Sequence, residues 1–231
     1  MSLLTYPLTN YARTLPCKKH FHNQTLQSIY KLFYLPYQSQ LIPNIFATRN
    51  DTNVEFTLVQ QAQSTSIYDS PVKYVYTLVH PVLKKVLFGP SQVNIKEEYF
   101  IFVENNQLIV EVKTLLSGFM LMDTFVTRTL YIYSQVSEKE VELEVKLDVE
   151  FVKENMFKKV VEKNAYEENE QQIPDVFFKE MEKIIEMKKE KEETKEDEQD
   201  DEDDKRSTET QHIENNDNDE TVSYWCYYYC F

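Results

Sequence analysis

Glycine is almost missing from this chain: Gly89 and Gly118 are the only two among 231 residues, where average usage would supply about 16. No G-x-G-x-x-G and no P-loop can be written, so phosphate binding by a glycine-rich cradle is excluded. Cysteine is scarce as well. Cys17, Cys226 and Cys230 make no disulfide framework, and three thiols fit a reducing, cytoplasmic compartment better. A basic surplus is lacking. The net charge is −14, and the stretch from Glu186 to Glu220 holds 17 acidic against 6 basic residues, so most of the acidity sits there. The rest of the chain is close to neutral and offers no basic face, which argues against nucleic-acid binding. No apolar run approaches the roughly 18 residues of a membrane span, and no charged segment leads into an apolar one as in a secretory signal.

Recognisable catalytic sets are missing too. There is no G-x-S-x-G, no H-E-x-x-H and no kinase-type set. No catalytic residue is assigned, and the chain is not expected to be an enzyme or to need a cofactor. His20 and His22 stand near Cys17, but a metal site needs a third or fourth ligand at suitable spacing. No metal site is assigned.

What is present is patterned. Val141, Leu143, Val145, Leu147, Val149 and Phe151 alternate with Glu142, Glu144, Lys146, Asp148 and Glu150. That is a strand with a dry face and a wet face, and it places Asp148 and its polar neighbours toward solvent. After it, from Asn155 to Asn164, the apolar spacing changes to a helical period. Earlier strands are read at Val54–Val59, Val72–Val79, Gln92–Val103, Leu108–Leu115 and Phe125–Tyr133. Glu104-Asn105-Asn106-Gln107 marks a hairpin turn. Thr25–Tyr34 carries Leu26, Ile29, Tyr30, Leu32 and Phe33 on a short amphipathic helix, and Tyr37–Ala47 forms a second short helical or turn segment. Pro174 breaks or kinks the last helix, or starts a new one. Val176, Phe177, Met181, Ile184 and Ile185 then resume the stripe.

These elements make an α+β domain of about six antiparallel strands with short N-terminal helices and a long C-terminal helix. Residues 1–19 read as a flexible leader, 20–188 as the domain, and 189–231 as an acidic tail unable to offset its ordering entropy. The tail ends in Tyr224-Trp225-Cys226-Tyr227-Tyr228-Tyr229-Cys230-Phe231, for which a lipidated end, a membrane-edge element and an artefactual terminus all stay open.

Several short motifs then fall in a telling order. They are Tyr74-Val75-Tyr76-Thr77-Leu78, Pro81, Gly89-Pro90 before a strand, Asp123-Thr124-Phe125 opening a later strand, and Glu162-Lys163-Asn164 on the last helix. Together they resemble the VASt domain, the START-like lipid-binding module of the Lam and Aster sterol-transfer proteins. The resemblance runs from about His20 to Ile185. Phe119-Met120-Leu121-Met122 departs from the family's run before Asp123, and Met156 and Phe157 stand where a Trp usually opens the last helix.

The resemblance implies a START-like helix-grip fold, a curved sheet wrapped around the C-terminal helix with an apolar cavity between them. It implies a domain that binds a lipid, sterol first, and transfers it between membranes without covalent chemistry. Implied lining residues are Tyr30, Phe46, Tyr76, Leu78, Val112, Phe125, Tyr131, Val145, Leu147, Phe157 and Val161. Ordinary core packing is the alternative for each. Gln61–Ser70 would be the lid. Lys84 and Lys85 with Val86, Leu87 and Phe88 would touch an anionic bilayer transiently, at contact sites of the endoplasmic reticulum or plasma membrane. The rival reading is a START-like scaffold without ligand, its acidic tail meeting a basic protein partner.

Overall fold

The strand and helix periods organise the chain as a computed structural model that describes residues 10–16, 18–60, 70–82, 90–118, 122–154 and 156–199, the last eight by backbone alone. In chain order these form β1 (Arg13–Thr14), β2 (Lys19–His22), α1 (Leu26–Phe33), α2 (Leu41–Thr48), β3 (Thr52–Gln60), β4 (Val72–Pro81) and β5 (Gln92–Glu104). Then come β6 (Gln107–Ser117), β7 (Phe125–Ser137), β8 (Glu140–Phe151), α3 (Lys158–Gln172), a π-helical turn (Ile173–Phe178) and α4 (Lys179–Gln199). The strands make one sheet in the order β1-β8-β7-β6-β5-β4-β3, with β2 also on β8, and every pairing is antiparallel. This is the expected α+β helix-grip.

Local chemistry explains the corners. Asn105 and Asn106 both take positive φ, 51° and 58°, the geometry that lets a two-residue turn follow the twist of β5 and β6. Thr25 caps α1 by accepting from the Ser28 backbone N–H at 3.2 Å, while the Ser28 hydroxyl accepts from the Thr25 N–H at 2.8 Å. Each bond satisfies a donor the first turn would leave free.

On β8, Val141, Leu143, Val145, Leu147 and Val149 are buried as the alternation demands. Asp148 differs from expectation: it is buried rather than solvated. Its register partner across the outer face is Arg128, and Tyr11 lies close enough for the Asp148 charge to act on its hydroxyl. The outer face is locally covered, because Phe102, Ile109, Leu130 and Ile132 gather there with Tyr11. Arg128 also pairs with Glu111 at 3.4 Å and with Glu150. Within the stretch read as a leader, Arg13 and Thr14 pair with Leu147 and Lys146, and Leu15 is buried.

The inner face carries the main core, which α1, α2, α3 and α4 cover. Aromatic rings fill much of it. Tyr74 stacks on Tyr99 at 5.0 Å, Phe46 meets Tyr76 edge-on at 5.0 Å, and the Tyr34 and Tyr133 hydroxyls share a hydrogen bond. Pro174 neither ends the helix nor starts a separate one. Proline lacks the N–H an α-turn needs, and the wider π turn at Ile173–Phe178 carries the chain from α3 into α4.

Candidate functional site

Inward positions two apart along each strand build the floor of a cavity between sheet and helices. They are His80 on β4, Ile95, Glu97 and Tyr99 on β5, Val112, Thr114 and Leu116 on β6, and Thr127, Thr129 and Tyr131 on β7. Ile42 and Ile45 of α2 with Arg49 close one side. Asn169 and Gln172 of α3 and Ile173, Val176 and Phe177 of the π turn close the other. The volume is about 80 Å³. Tyr131 stacks on Phe177 across it, with ring centroids 4.6 Å apart, so an aromatic pair ties the floor to the helix.

One end of the cavity is charged. Arg49 caps the C-terminus of α2, and Asn50 after it takes φ 58°, leading into Asp51. Arg49 Nε donates to Asp51 Oδ2 at 2.7 Å, and its Nη1 donates to Glu97 Oε1 at 3.2 Å. The Tyr99 hydroxyl donates to Glu97 Oε2 at 2.6 Å, and His80 Nδ1 bonds Asp51 Oδ1. Burial works against the Arg49 charge, yet Glu97 and Asp51 outweigh it and hold its pKa above the ordinary value. Burial, then the Glu97 charge, pushes the nearby Tyr76 hydroxyl up to about 12. A buried pair of this kind is costly to break, because the surviving partner stays uncompensated.

Three polar groups in or beside the cavity have no hydrogen-bond partner among the described residues. They are His80 Nε2, Gln172 Oε1 and the Glu168 carboxyl. His80 and Gln172 both line the cavity. Glu168 lies one turn before Gln172 on the same helix face. Burial pushes its pKa up to about 8, with Arg49 pulling weakly the other way.

Of the residues implied as lining, Val112 and Tyr131 stand on the cavity wall. Tyr30, Phe46, Leu78, Phe125, Val145 and Leu147 are buried in the surrounding core, with Tyr76 and Val161 packed against it half-buried. Phe157 is half-buried at the start of α3. Of the expected lid, Gln61–Ser70, residues 61–69 lie outside the described residues, as do the stretch from Lys84 to Phe88, Cys17 and the aromatic end. His20 pairs instead with Glu140 at 3.1 Å, and no group of three metal-ligating side chains occurs among the described residues. Glu97, Thr114, Thr127 and Thr129 escaped the sequence reading. Their signal was a polar residue at an inward position, such as Glu97 between Ile95 and Tyr99.

The family model VASt, described as "VAD1 Analog of StAR-related lipid transfer domain", matches residues 17–168, more than half of the chain. The chain belongs to the VASt family. That membership supports a lipid-binding role for the domain. No curated protein matches the chain. The match ends at Glu168, so Gln172, Ile173, Val176 and Phe177 of this VASt domain line the cavity from beyond it. No helix among the described residues is long and apolar enough to cross a membrane.

Proposed function

We propose that this VASt domain binds a single sterol between the sheet and the α3–α4 helix and carries it between membranes. The observation that supports it is a cavity on the inner sheet face, apolar along Ile42, Ile45, Ile95, Leu116, Val176 and Phe177 and polar at one end, in a chain of a lipid-binding family. An apolar body is held there by the hydrophobic effect, and no covalent step is required. A drug-sized ligand needs about 300–1,000 Å³, several times the present 80 Å³. Binding therefore requires the helix side to move away from the sheet, starting with the Phe177 ring stacked on Tyr131. In this reading the widened wall extends from Val112 and Tyr131 to the other implied lining residues. Loading and release involve transient contact with a membrane surface, at contact sites between membranes.

The small volume favours a second reading, a ligand-free scaffold whose acidic tail meets a basic protein. Transfer separates the two. The full chain is mixed with donor liposomes carrying a fluorescent sterol and with sterol-free acceptors. Saturable binding with accelerated transfer is the expected result. Absence of both sinks the sterol carrier and leaves the scaffold.

A further inference from the structure

Met156 is 89% exposed, more than any other large apolar side chain among the described residues. It stands at the corner where β8 hands over to α3, and Val152 and Val160 are exposed there too. Phe151, Val152, Lys153, Glu154, Met156 and Lys158 line an open hollow at this corner. Lysines rim the apolar residues: 152–163 hold Lys153, Lys158, Lys159 and Lys163 against Glu154 and Glu162. All four lysines are exposed. Asp123 pairs with Lys153, Glu162 with Lys158 at 3.7 Å, and Glu167 with Lys163 at 3.8 Å. Exposed pairs of this kind contribute little, so a dense array of lipid phosphates can take the place of the acids.

Strand register fixes where this corner sits. Phe151 pairs with Phe125, Leu115 with Val126, Ile95 with Leu116, and Pro81 with Gln92. The corner therefore shares one end of the sheet with the connection from β4 to β5, whose sequence holds Lys84, Lys85, Val86, Leu87 and Phe88. The cavity lies toward the same end, since its residues His80, Ile95, Leu116 and Thr127 come from the strand segments nearest it. The turns at the other end, 104–107 and 137–140, carry three glutamates and one lysine. The long helix separates charge along the same axis. Arg13, in register with Leu147, reaches Glu170 at 3.2 Å, and Lys19, in register with Leu143, pairs with Glu182. The helix thus runs back along β8 from the corner, and α4 continues to Gln199, about 25 Å beyond Glu182. The acidic stretch begins on it at Glu186. A negative surface attracts the lysine corner and repels the far end of the helix, so its field turns the corner toward it.

We infer that the β8–α3 corner, centred on Met156, is the surface that docks this domain on an anionic lipid bilayer. The inference rests on the carrier reading above, which requires a membrane contact, and it names the residues that make it. Met156, Val152 and Val160 enter the headgroup layer and lose their exposure to water. The lysines stay at the level of the phosphates, with their carbon stems along the apolar side chains.

The test is co-sedimentation of the full chain with sterol-free vesicles of phosphatidylcholine, alone or with about 30 mol% phosphatidylserine. The unaltered chain should bind the anionic vesicles, and more weakly as salt rises. Met156→Glu should lower the affinity about tenfold. Reversal of both Lys158 and Lys159 to Glu should lower it by about tenfold or more. Val136 is 51% exposed toward the other end of β7, so Val136→Glu makes the same change in net charge away from the corner and should leave binding as it was. These side chains are exposed, and near-ultraviolet dichroism should be unchanged in every variant. Equal losses in Met156→Glu and Val136→Glu would mean that net charge alone matters and would overturn the corner. Binding to neither vesicle overturns it too and leaves the corner to a protein partner. Saturable binding of the fluorescent sterol dehydroergosterol, measured separately, keeps the two readings apart. Sterol binding without docking sinks the corner alone, and docking at the corner without sterol binding sinks the sterol carrier alone.

Discussion

Glu168 shows how one side chain can set the pH response of a whole domain. Its carboxyl is buried on α3 with no hydrogen-bond partner among the described residues, and burial raises its pKa to about 8, against about 4.3 in an unfolded chain. Between these values the folded state holds a proton that the unfolded state has released. Stability is then fully present below about pH 4.3 and is lost as pH rises toward 8, at up to about 1.4 kcal/mol per unit. Glu168→Gln keeps the shape and removes the titration. Urea unfolding of both forms at pH 5.5 and pH 8 should show the unaltered chain losing on the order of 3 kcal/mol relative to the variant. Parallel losses would mean that Glu168 stays charged and solvated. The residue looked unremarkable in sequence, one acid among the many on α3, because burial is a property of tertiary packing. Arg49 has one acidic partner close in sequence, Asp51 two positions on, but its other, Glu97, sits 48 positions away and no local period links them.

At the scale of elements, strands were easier to read than helices. Alternation located all six long strands, and Asn105-Asn106 announced the β5–β6 turn, because both signals are local. β1 escaped notice since two residues cannot show a period, and it forms only where β8 offers a free edge. The π turn escaped for a different reason. Along the C-terminal helix Ala165, Glu168 and Gln172 are buried, and then Phe177, Met181 and Ile184. Ile173 is buried beside Gln172 and Phe178 beside Phe177, so the buried pair recurs after five residues instead of the usual three or four, and Pro174 explains why the extra residue is tolerated. That step brings Phe177 onto Tyr131. Phe177→Ala removes a largely buried ring from the seam between sheet and helix. It should cost about 3–5 kcal/mol in urea unfolding with an unchanged denaturant slope. It should also enlarge the cavity, so that saturable uptake of dehydroergosterol by the destabilised variant becomes faster. A slower uptake would show that the Tyr131–Phe177 pair grips the ligand instead of closing its entrance.

For the whole molecule, the boundary of the family match and the boundary of the folding unit do not coincide. The VASt match stops at Glu168, yet Ile173, Phe177, Phe178, Met181 and Ile184 are buried in the main core from beyond it. α4 also packs on α1 and α2, so the last helix joins the N-terminal helices over the sheet. Burying a large apolar side chain contributes roughly 1.5–3 kcal/mol, so these five together supply on the order of 10 kcal/mol. Native domains hold only about 5–15 kcal/mol in total. A chain ending at Glu168 should therefore fail to fold, although it contains every matched residue. A chain ending at Lys191 keeps the five and should unfold cooperatively. Thermal melts followed by near-ultraviolet dichroism distinguish the two, with a sharp transition expected only for the longer form. A cooperative melt from the shorter form would show that the sheet and α3 are self-sufficient. The cavity would then lose one wall without losing the fold, and the α3–α4 continuation would count as a detachable cover over the sheet.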